Sequence, residues 1–392
     1  MITSPTETKR TWADVPMRAF AGGFYCDLIR LYNHLGVAYH SQPFLFSFSR
    51  LAPSCAREPA DLYMLHTSNF HQVPPMPRNR DLVSWAIEGV YVLACYLWFT
   101  VCCFLVLPLD TPPGETLDEY LRRIHLPSYY IANYLLPLMS SVCTCSHAQI
   151  LQFPASDVLD YKKRTHRQDH YVVSNGVHAV QEKLLRGLDV RLGVHTTQVL
   201  PMKSGVEITT RCSSGEESTE HFDLVVLAVS PDIVASIFHP LQSILSRIPT
   251  TIVDTVVHTD YSTISPTLHA TAKPGAPVGK PNTSSQRIQF LSSSTTTESV
   301  HEQPNSILVT TNPLSSIDRS KIIQSATFTR VLRTPQSRTI VNNLFDENEK
   351  PGGWHSGEDG VYLAGGWCWD GMVLLEGCIV SAMRVAKDLG VE

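Results

Sequence analysis

GVYLAGGWCWDGMVLLEGCIVSAMRVAKDLG, residues 360–390, is the stretch whose reading decides the fold. Val361 to Ala364 is a short apolar strand that runs into Gly365-Gly366. After a loop containing Gly371, a helix starts near Leu375 and continues past Ala386. Paired glycines at a strand end let a backbone approach a ligand closely, and a helix N-terminus presents free N–H groups and a positive dipole end. Together they suit a phosphate or a flavin carbonyl, hence a nucleotide cofactor. An ordinary βα turn has the same outline, so the stretch alone leaves both readings open.

Working outward, DLVVLAV at Asp223 to Val229 is a nearly continuous apolar run, which predicts a strand covered on both faces. It ends at Ser230-Pro231 before a helix over Asp232 to Phe238. YVVSNG from Tyr171, a helix from Val177 to about Leu188, and short strands in DVRLGV, TTQVLPM and VEITTRC continue the α/β rhythm. Nearer the start, Leu28, Leu31, Tyr32 and Leu35 form the apolar face of a helix that Gly36 stops. Thr116-Leu-Asp-Glu119 has the capping-box pattern for a helix to about Ile124. Ser262 to Ser299 is rich in Ser, Thr and Pro and predicts a long irregular insertion. Asn282 within it heads a glycosylation sequon that matters only in a luminal segment.

The chain of 392 residues is 43 % hydrophobic, enough for a two-domain core, and its 31 Lys+Arg against 36 Asp+Glu give a net charge of −5. No basic surplus exists for nucleic acid, so no nucleic-acid partner is expected. The ten cysteines form no dense framework and no secretory signal opens the chain, which points to a reducing compartment. Gly89 to Leu109 runs 21 residues without a charge, long enough to cross a bilayer. It also holds two tyrosines, three cysteines and Pro108, and lacks flanking Lys/Arg, so a span, an interfacial helix and a buried helix all remain open. Insertion is energetically allowed. The expectation is therefore membrane association through 89–109 with the catalytic part cytoplasmic, the alternative being a soluble cytoplasmic protein with this helix in its core.

The C-terminal stretch resembles the FAD-binding motif of the flavin-containing amine oxidase superfamily, with Ala364, Gly365 and Gly366 at the strand end and Gly377, Cys378, Ser381 and Ala382 on the helix. Tyr171 to Leu185, with Asn175-Gly176, is similar to the superfamily's central glycine-plus-helix element. Thr197-Gln198-Val199 resembles the strand that meets the adenine, and Leu227-Ala228-Val229-Ser230-Pro231 resembles a characteristic strand end. DVPMRAFAGGFY from Asp14 and LLPLMSSVCTCSHAQILQFP from Leu135 narrow the likeness to a fungal and bacterial branch of FAD/NAD(P)-binding oxidoreductases.

The resemblance implies an α/β fold in which an incomplete, Rossmann-like FAD-binding domain (12–50, 171–235 and 355–392) joins a mixed α+β substrate domain (51–170 and 236–354). It implies FAD held at Val199, Ala228, Gly365, Gly366, Gly377 and Cys378, and a hydrophobic small-molecule substrate, lipid-like or secondary-metabolite-like. Trp367 and Trp369 would wall a substrate channel or fill core. The superfamily's G-x-G-x-x-G turn is absent, and 13 residues before Asp14 are fewer than the ~30 such a unit needs. Three expectations follow: an incomplete gene product, weak FAD binding, or a flavin-free member of the fold acting as an isomerase, cyclase or binding protein.

Other constellations carry less. His166 and His170 are four apart, but HRQDH lacks the metalloprotease glutamate and sits among Lys162, Lys163, Arg164 and Arg167, so no metal is expected. Cys143 and Cys145 lack the spacing of a redox or zinc pair and read as small buried residues, with a pocket-lining redox role as the alternative. Glu376 is placed to favour its own helix's positive end. No G-x-S-x-G elbow marks a hydrolase, and no general base stands out.

Overall fold

The computed structural model describes residues 12–15, 19–51, 62–68, 81–109, 111–264, 286–303, 306–345 and 353–391. Asn282 lies outside them. The chain begins with β1 (Phe20–Ala21), α1 (Cys26–His34) and β2 (Tyr39–Ser41), followed by β3 (Phe44–Arg50) and β4 (Leu62–Thr67). Helix α1 buries Leu28 and Tyr32 and stops ahead of Gly36, whose φ of 61° only glycine adopts freely.

α2 (Leu82–Leu105) starts seven residues before the charge-free run, because the Asp81 side chain caps it by accepting from the Ser84 N–H. It stops before Leu109 because Val106 is already extended ahead of Pro108. Among the described residues it is the one helix long and apolar enough to cross a membrane, and 28 % of its most apolar window is buried. α3 (Leu117–Arg123) has the expected capping box between Thr116 and Glu119. α4 (Ser128–Tyr130), a π turn over Ile131–Leu135, α5 (Leu136–Cys143), α6 (His147–Leu151) and α7 (Ala155–Thr165) complete a helical layer. Its core joins Phe24 and Leu28 to Phe99, Cys103, Tyr120 and Leu121.

β5 (His170–Val173) pairs antiparallel with β1 and β2, and α8 (Val177–Leu184) follows, ending sooner than the sequence suggests. β6 (Val194–Pro201), β7 (Val206–Cys212) and β8 (Glu217–Phe222) form an antiparallel meander; DVRLGV itself precedes the first of these strands. β9 (Val225–Leu227), α9 (Pro231–Ile237), α10 (Gln242–Leu245), β10 (Thr250–His258), β11 (Gln286–Ser292), β12 (Thr297–Gln303), β13 (Ile307–Thr311) and β14 (Ile322–Val331) come next. The chain closes with α11 (Pro335–Asn343), β15 (Val361–Leu363) and α12 (Leu375–Asp388).

β15 pairs parallel with β9, Val361 opposite Val225 and Leu363 opposite Leu227, so the two apolar runs do lie together. The expectation that the 223–229 strand is covered on both faces is corrected. Val225 and Leu227 are buried with Val199, Val361 and Leu363, but Leu224, Val226 and Val229 are exposed, because this sheet has two strands and only one face is packed. The irregular insertion is also corrected: its second half forms β11 and β12, while residues 265–285 lie outside the described set. Serines and threonines there pair in register, with Phe290 opposite Ser299 and Ser292 opposite Thr297.

Those strands sit in a seven-stranded sheet of order β14-β10-β13-β12-β11-β3-β4, parallel only between β11 and β3. Phe44–Arg50 is thus built into this sheet, beside strands from the 236–354 segment. The molecule is an α/β assembly of a small parallel sheet with α12 and a larger mixed domain.

Candidate active site

Between one face of the large sheet, the inner side of α2 and the start of α12 lies a cavity of about 1550 Å³. The pleat dictates its sheet wall. Opposed residues share a face, so His66, Phe46, Ile288 and His301 form one row, and Met64, Phe290, Ser299 and Thr311 belong to the next, two residues along. All eight line the cavity. The Phe46 ring stacks on His66 at 5.4 Å and on Phe290 at 5.7 Å. Gly89, Val90, Leu93, Leu97 and Thr100 of α2 form the opposite wall, and Leu374 and Leu375 close one end.

Polar groups interrupt this largely apolar wall: His66 and His301 on the sheet, Arg330 near α12, and Lys162, Arg167 and Asp169 toward the mouth. His66 Nδ1 is buried without a hydrogen-bond partner, and burial, with His170 and Lys162 nearby, holds the ring's pKa down to about 4. Burial does the same to His301, again to about 4. Both imidazoles are neutral at pH 7. Arg330 donates from Nε to the Cys143 carbonyl at 3.2 Å and from an Nη to the Val373 carbonyl at 2.9 Å, bracing the segment that leads into α12. Sequence reasoning passed over His66, His301 and Arg330; none belongs to a local motif, and only the pleat and the sheet order bring them together.

The start of α12 is built by glycines. Gly365 has φ 140°, and its N–H donates to Ser381 Oγ at 2.9 Å, fastening strand end to helix. A Cβ on Gly366 would lie 3.0 Å from the Leu374 carbonyl oxygen, and one on Gly377 would lie 2.4 Å from the Trp369 ring. Gly371 faces the same indole, at 2.8 Å. Trp369 also donates to the Met372 carbonyl at 2.9 Å. Trp367 is 3 % exposed and donates to the Val229 carbonyl at 2.9 Å, so neither tryptophan belongs to the cavity wall, and both pack in core.

Val199 is buried in the β9–β15 core, Ala228 is exposed just beyond β9, and Cys378 sits beside Gly366. Val199, Ala228, Gly365, Gly366, Gly377 and Cys378 therefore cluster around the small sheet and α12, but none lines the cavity. His166 ends α7 while His170 lies on β5, so they share no helix face. No group of three or more metal-ligating side chains occurs among the described residues. Cys143 and Cys145 are buried outside the cavity wall; burial pushes the Cys143 thiol up to about 12 and raises Cys145 too, which suppresses thiolate chemistry.

Glu376 does something the sequence could not show. It is buried, and its carboxylate accepts from the N–H groups of Asp27 at 2.8 Å and Leu28 at 3.0 Å, so it caps α1 rather than its own helix. Replacing it with alanine strands two buried donors. A loss of about 3 kcal/mol is expected, two bonds at the lower end of about 1.5–3 kcal/mol for a hydrogen bond to a charged group, read from urea unfolding midpoints.

A flavin ring fits the cavity end. α12 has no side-chain cap, and Leu374 and Leu375 at its start line the cavity, so the positive helix end is available to a ring carbonyl. The volume exceeds the roughly 300–1,000 Å³ of a drug-sized site and holds a ring system together with a substrate. Among the described residues no G-x-G-x-x-G turn offers itself to a phosphate, and α1's first turn is occupied by Glu376.

Residues 109–296 match the family described as flavin containing amine oxidoreductase. No curated protein matches the chain. Two solved structures share the fold at low sequence identity. The CLA-producing fatty acid isomerase from P. acnes aligns with a TM-score of 0.58 and 12 % identity, over 99 % of this chain and 89 % of that one. Cyclohexylamine oxidase from Brevibacterium oxydans IH-35A aligns at 0.51 and 10 %, over 95 % and 87 %. Residues 109–296 are thus similar to the flavin-containing amine oxidoreductases, and nearly the whole chain shares the fold of these two structures.

Proposed function

We propose that the chain is an FAD-dependent, oxidoreductase-type enzyme acting on a hydrophobic small molecule. The observation that carries this reading is one continuous, largely apolar cavity that runs from the uncapped start of α12 to α2. Bound flavin supplies the hydride acceptor. This chain's residues then do the rest. The Leu375 N–H at the start of α12 and the Arg330 guanidinium, braced on Cys143 and Val373, would hold the ring's carbonyl edge, while the Leu374 N–H is taken by the Met372 carbonyl at 2.7 Å. Phe46, Phe290 and α2 exclude water, and neutral His66 offers Nδ1 to a polar group of the substrate. The family likeness and the neighbouring oxidase fold support the redox class; the apolar wall supports a lipid-like or secondary-metabolite-like substrate. No disulfide joins the described cysteines, which supports a cytoplasmic setting.

The test is anaerobic addition of apolar amines, alcohols and acids to the purified flavoprotein. Bleaching of the visible flavin band by one class identifies the substrate, and His66→Leu is expected to weaken its binding about tenfold, the equivalent of one hydrogen bond. No bleaching by any class speaks against oxidation. A second reading, a flavin-free isomerase, cyclase or binding protein, is favoured by Trp369 filling the space above Gly371 and Gly377. Saturable binding of an apolar ligand by a colourless protein that ignores added FAD would establish it.

A further inference from the structure

We propose that the outward face of α2 docks on an anionic lipid surface, the helix lying flat in the headgroup–acyl boundary with the cavity mouth against the lipid. A helix apolar all round is normally covered all round. Here one side is covered by the protein: Cys95, Phe99, Cys102 and Cys103 are buried, Trp98 donates to the Ile124 carbonyl at 2.8 Å, and Tyr134 donates to Glu88. These attachments run along the helix from Glu88 to Cys103, and crossing a bilayer would strip them.

The other side carries Val83, Ile87, Val90, Leu97, Val101 and Phe104, at helical spacing and 46 to 69 % exposed. Glu88, held by Tyr134, is the only charged residue in the 24 of this helix. A stripe of this length, about 32 Å, is an exposed apolar patch of the kind that marks a contact surface.

Two observations select lipid as the occupant. The first is charge. Phe104 packs on the His166 ring at 5.5 Å, at the end of α7 where Lys162, Lys163, Arg164 and Arg167 cluster, so cations flank the C-terminal half of the stripe. Lys162 sits 4.8 Å over the Tyr96 ring of α2 itself. The second is the cavity. Val90 and Leu97 belong both to the exposed stripe and to the cavity wall, as do Lys162 and Arg167 to the cationic rim and that wall, so the mouth opens on this face. An apolar ligand then passes from lipid to cavity without crossing water.

The test floats full-length protein with phosphatidylcholine vesicles, with and without phosphatidylserine. The expected result is flotation with the anionic vesicles, weakened several-fold by high salt as the cations are screened. Val90→Asp combined with Leu97→Asp is expected to reduce it at least tenfold while the thermal midpoint holds, since both side chains are exposed. Bromines near the lipid headgroup should quench Trp98 fluorescence, and bromines at the chain ends should not. Quenching by chain-end bromines would overturn the flat arrangement in favour of a span. Absence of flotation would overturn lipid docking, as would a dimer that the double substitution splits without any vesicle binding. Each readout is independent of flavin content.

Discussion

Replacing Arg333 with alanine is expected to cost about 3–5 kcal/mol of folding stability, the range for removing one partner of a buried charged set. Arg333 is 1 % exposed, and one of its Nη atoms donates to the carbonyls of Trp367 at 3.0 Å and Trp369 at 2.9 Å, pinning the loop between β15 and α12. The buried Asp157, 3.5 Å from Arg338, is the opposite charge that acts most strongly on Arg333, ahead of Asp370. Burial raises its pKa, Arg333 and Arg338 oppose that, and its Oδ2 has no hydrogen-bond partner. Without Arg333, two carbonyls lose their donor and a buried carboxylate loses a cation. Urea midpoints of R333A read the loss, and adding Asp157→Asn should recover part of it, because a buried charge left with Arg338 alone goes with it. An unchanged midpoint in R333A would show that the loop stands without this anchor.

Acid should destabilise the fold well above the carboxylate range. His66 and His301 are held at about 4 in the folded protein against about 6.5 when unfolded, so the unfolded chain binds more protons between those values. The sign is a stability that is complete above pH 6.5 and falls as pH drops toward 4. Each ring contributes a loss of about 3 kcal/mol at pH 4, from 1.36 kcal/mol per pKa unit. Two such groups rival the ~5–15 kcal/mol of total stability of a typical fold. Urea midpoints between pH 7 and 4.5 should fall steeply, and His66→Gln and His301→Gln should each flatten the slope, the remainder coming from His147, His166, His170 and His258, which burial also lowers. A flat profile would place these rings in contact with bulk water rather than in the cavity wall.

Much of the β15–α12 unit was legible because its signals are local. Val361 to Ala364, the glycine pair and the helix from Leu375 are adjacent in sequence, and Thr116 and Glu119 meet within one helical turn. The substrate side was not legible. β11 and β12 look like a loop because Ser, Thr and Gln occupy faces that pair with other strands, as with Gln289 opposite Val300. A strand covered on both faces was expected at Asp223 to Val229 from apolar content alone, which cannot say how many layers pack on it. Glu376 reaches α1 across 348 to 349 positions, and Trp369 turns back onto Gly377. Neither contact has a sequence period.

A flavin seated at the cavity end by α12, beside an apolar substrate, can be counted directly. Full-length protein purified in the presence of FAD, freed of excess cofactor and then acid-denatured, releases its bound flavin for counting. Close to one FAD per chain is expected, with an oxidised flavin spectrum before denaturation and a stoichiometry that drops when Gly366 is replaced by valine, whose added Cβ meets the Leu374 carbonyl at 3.0 Å. A colourless protein that releases no flavin and shows no change in thermal midpoint on adding FAD would contradict it.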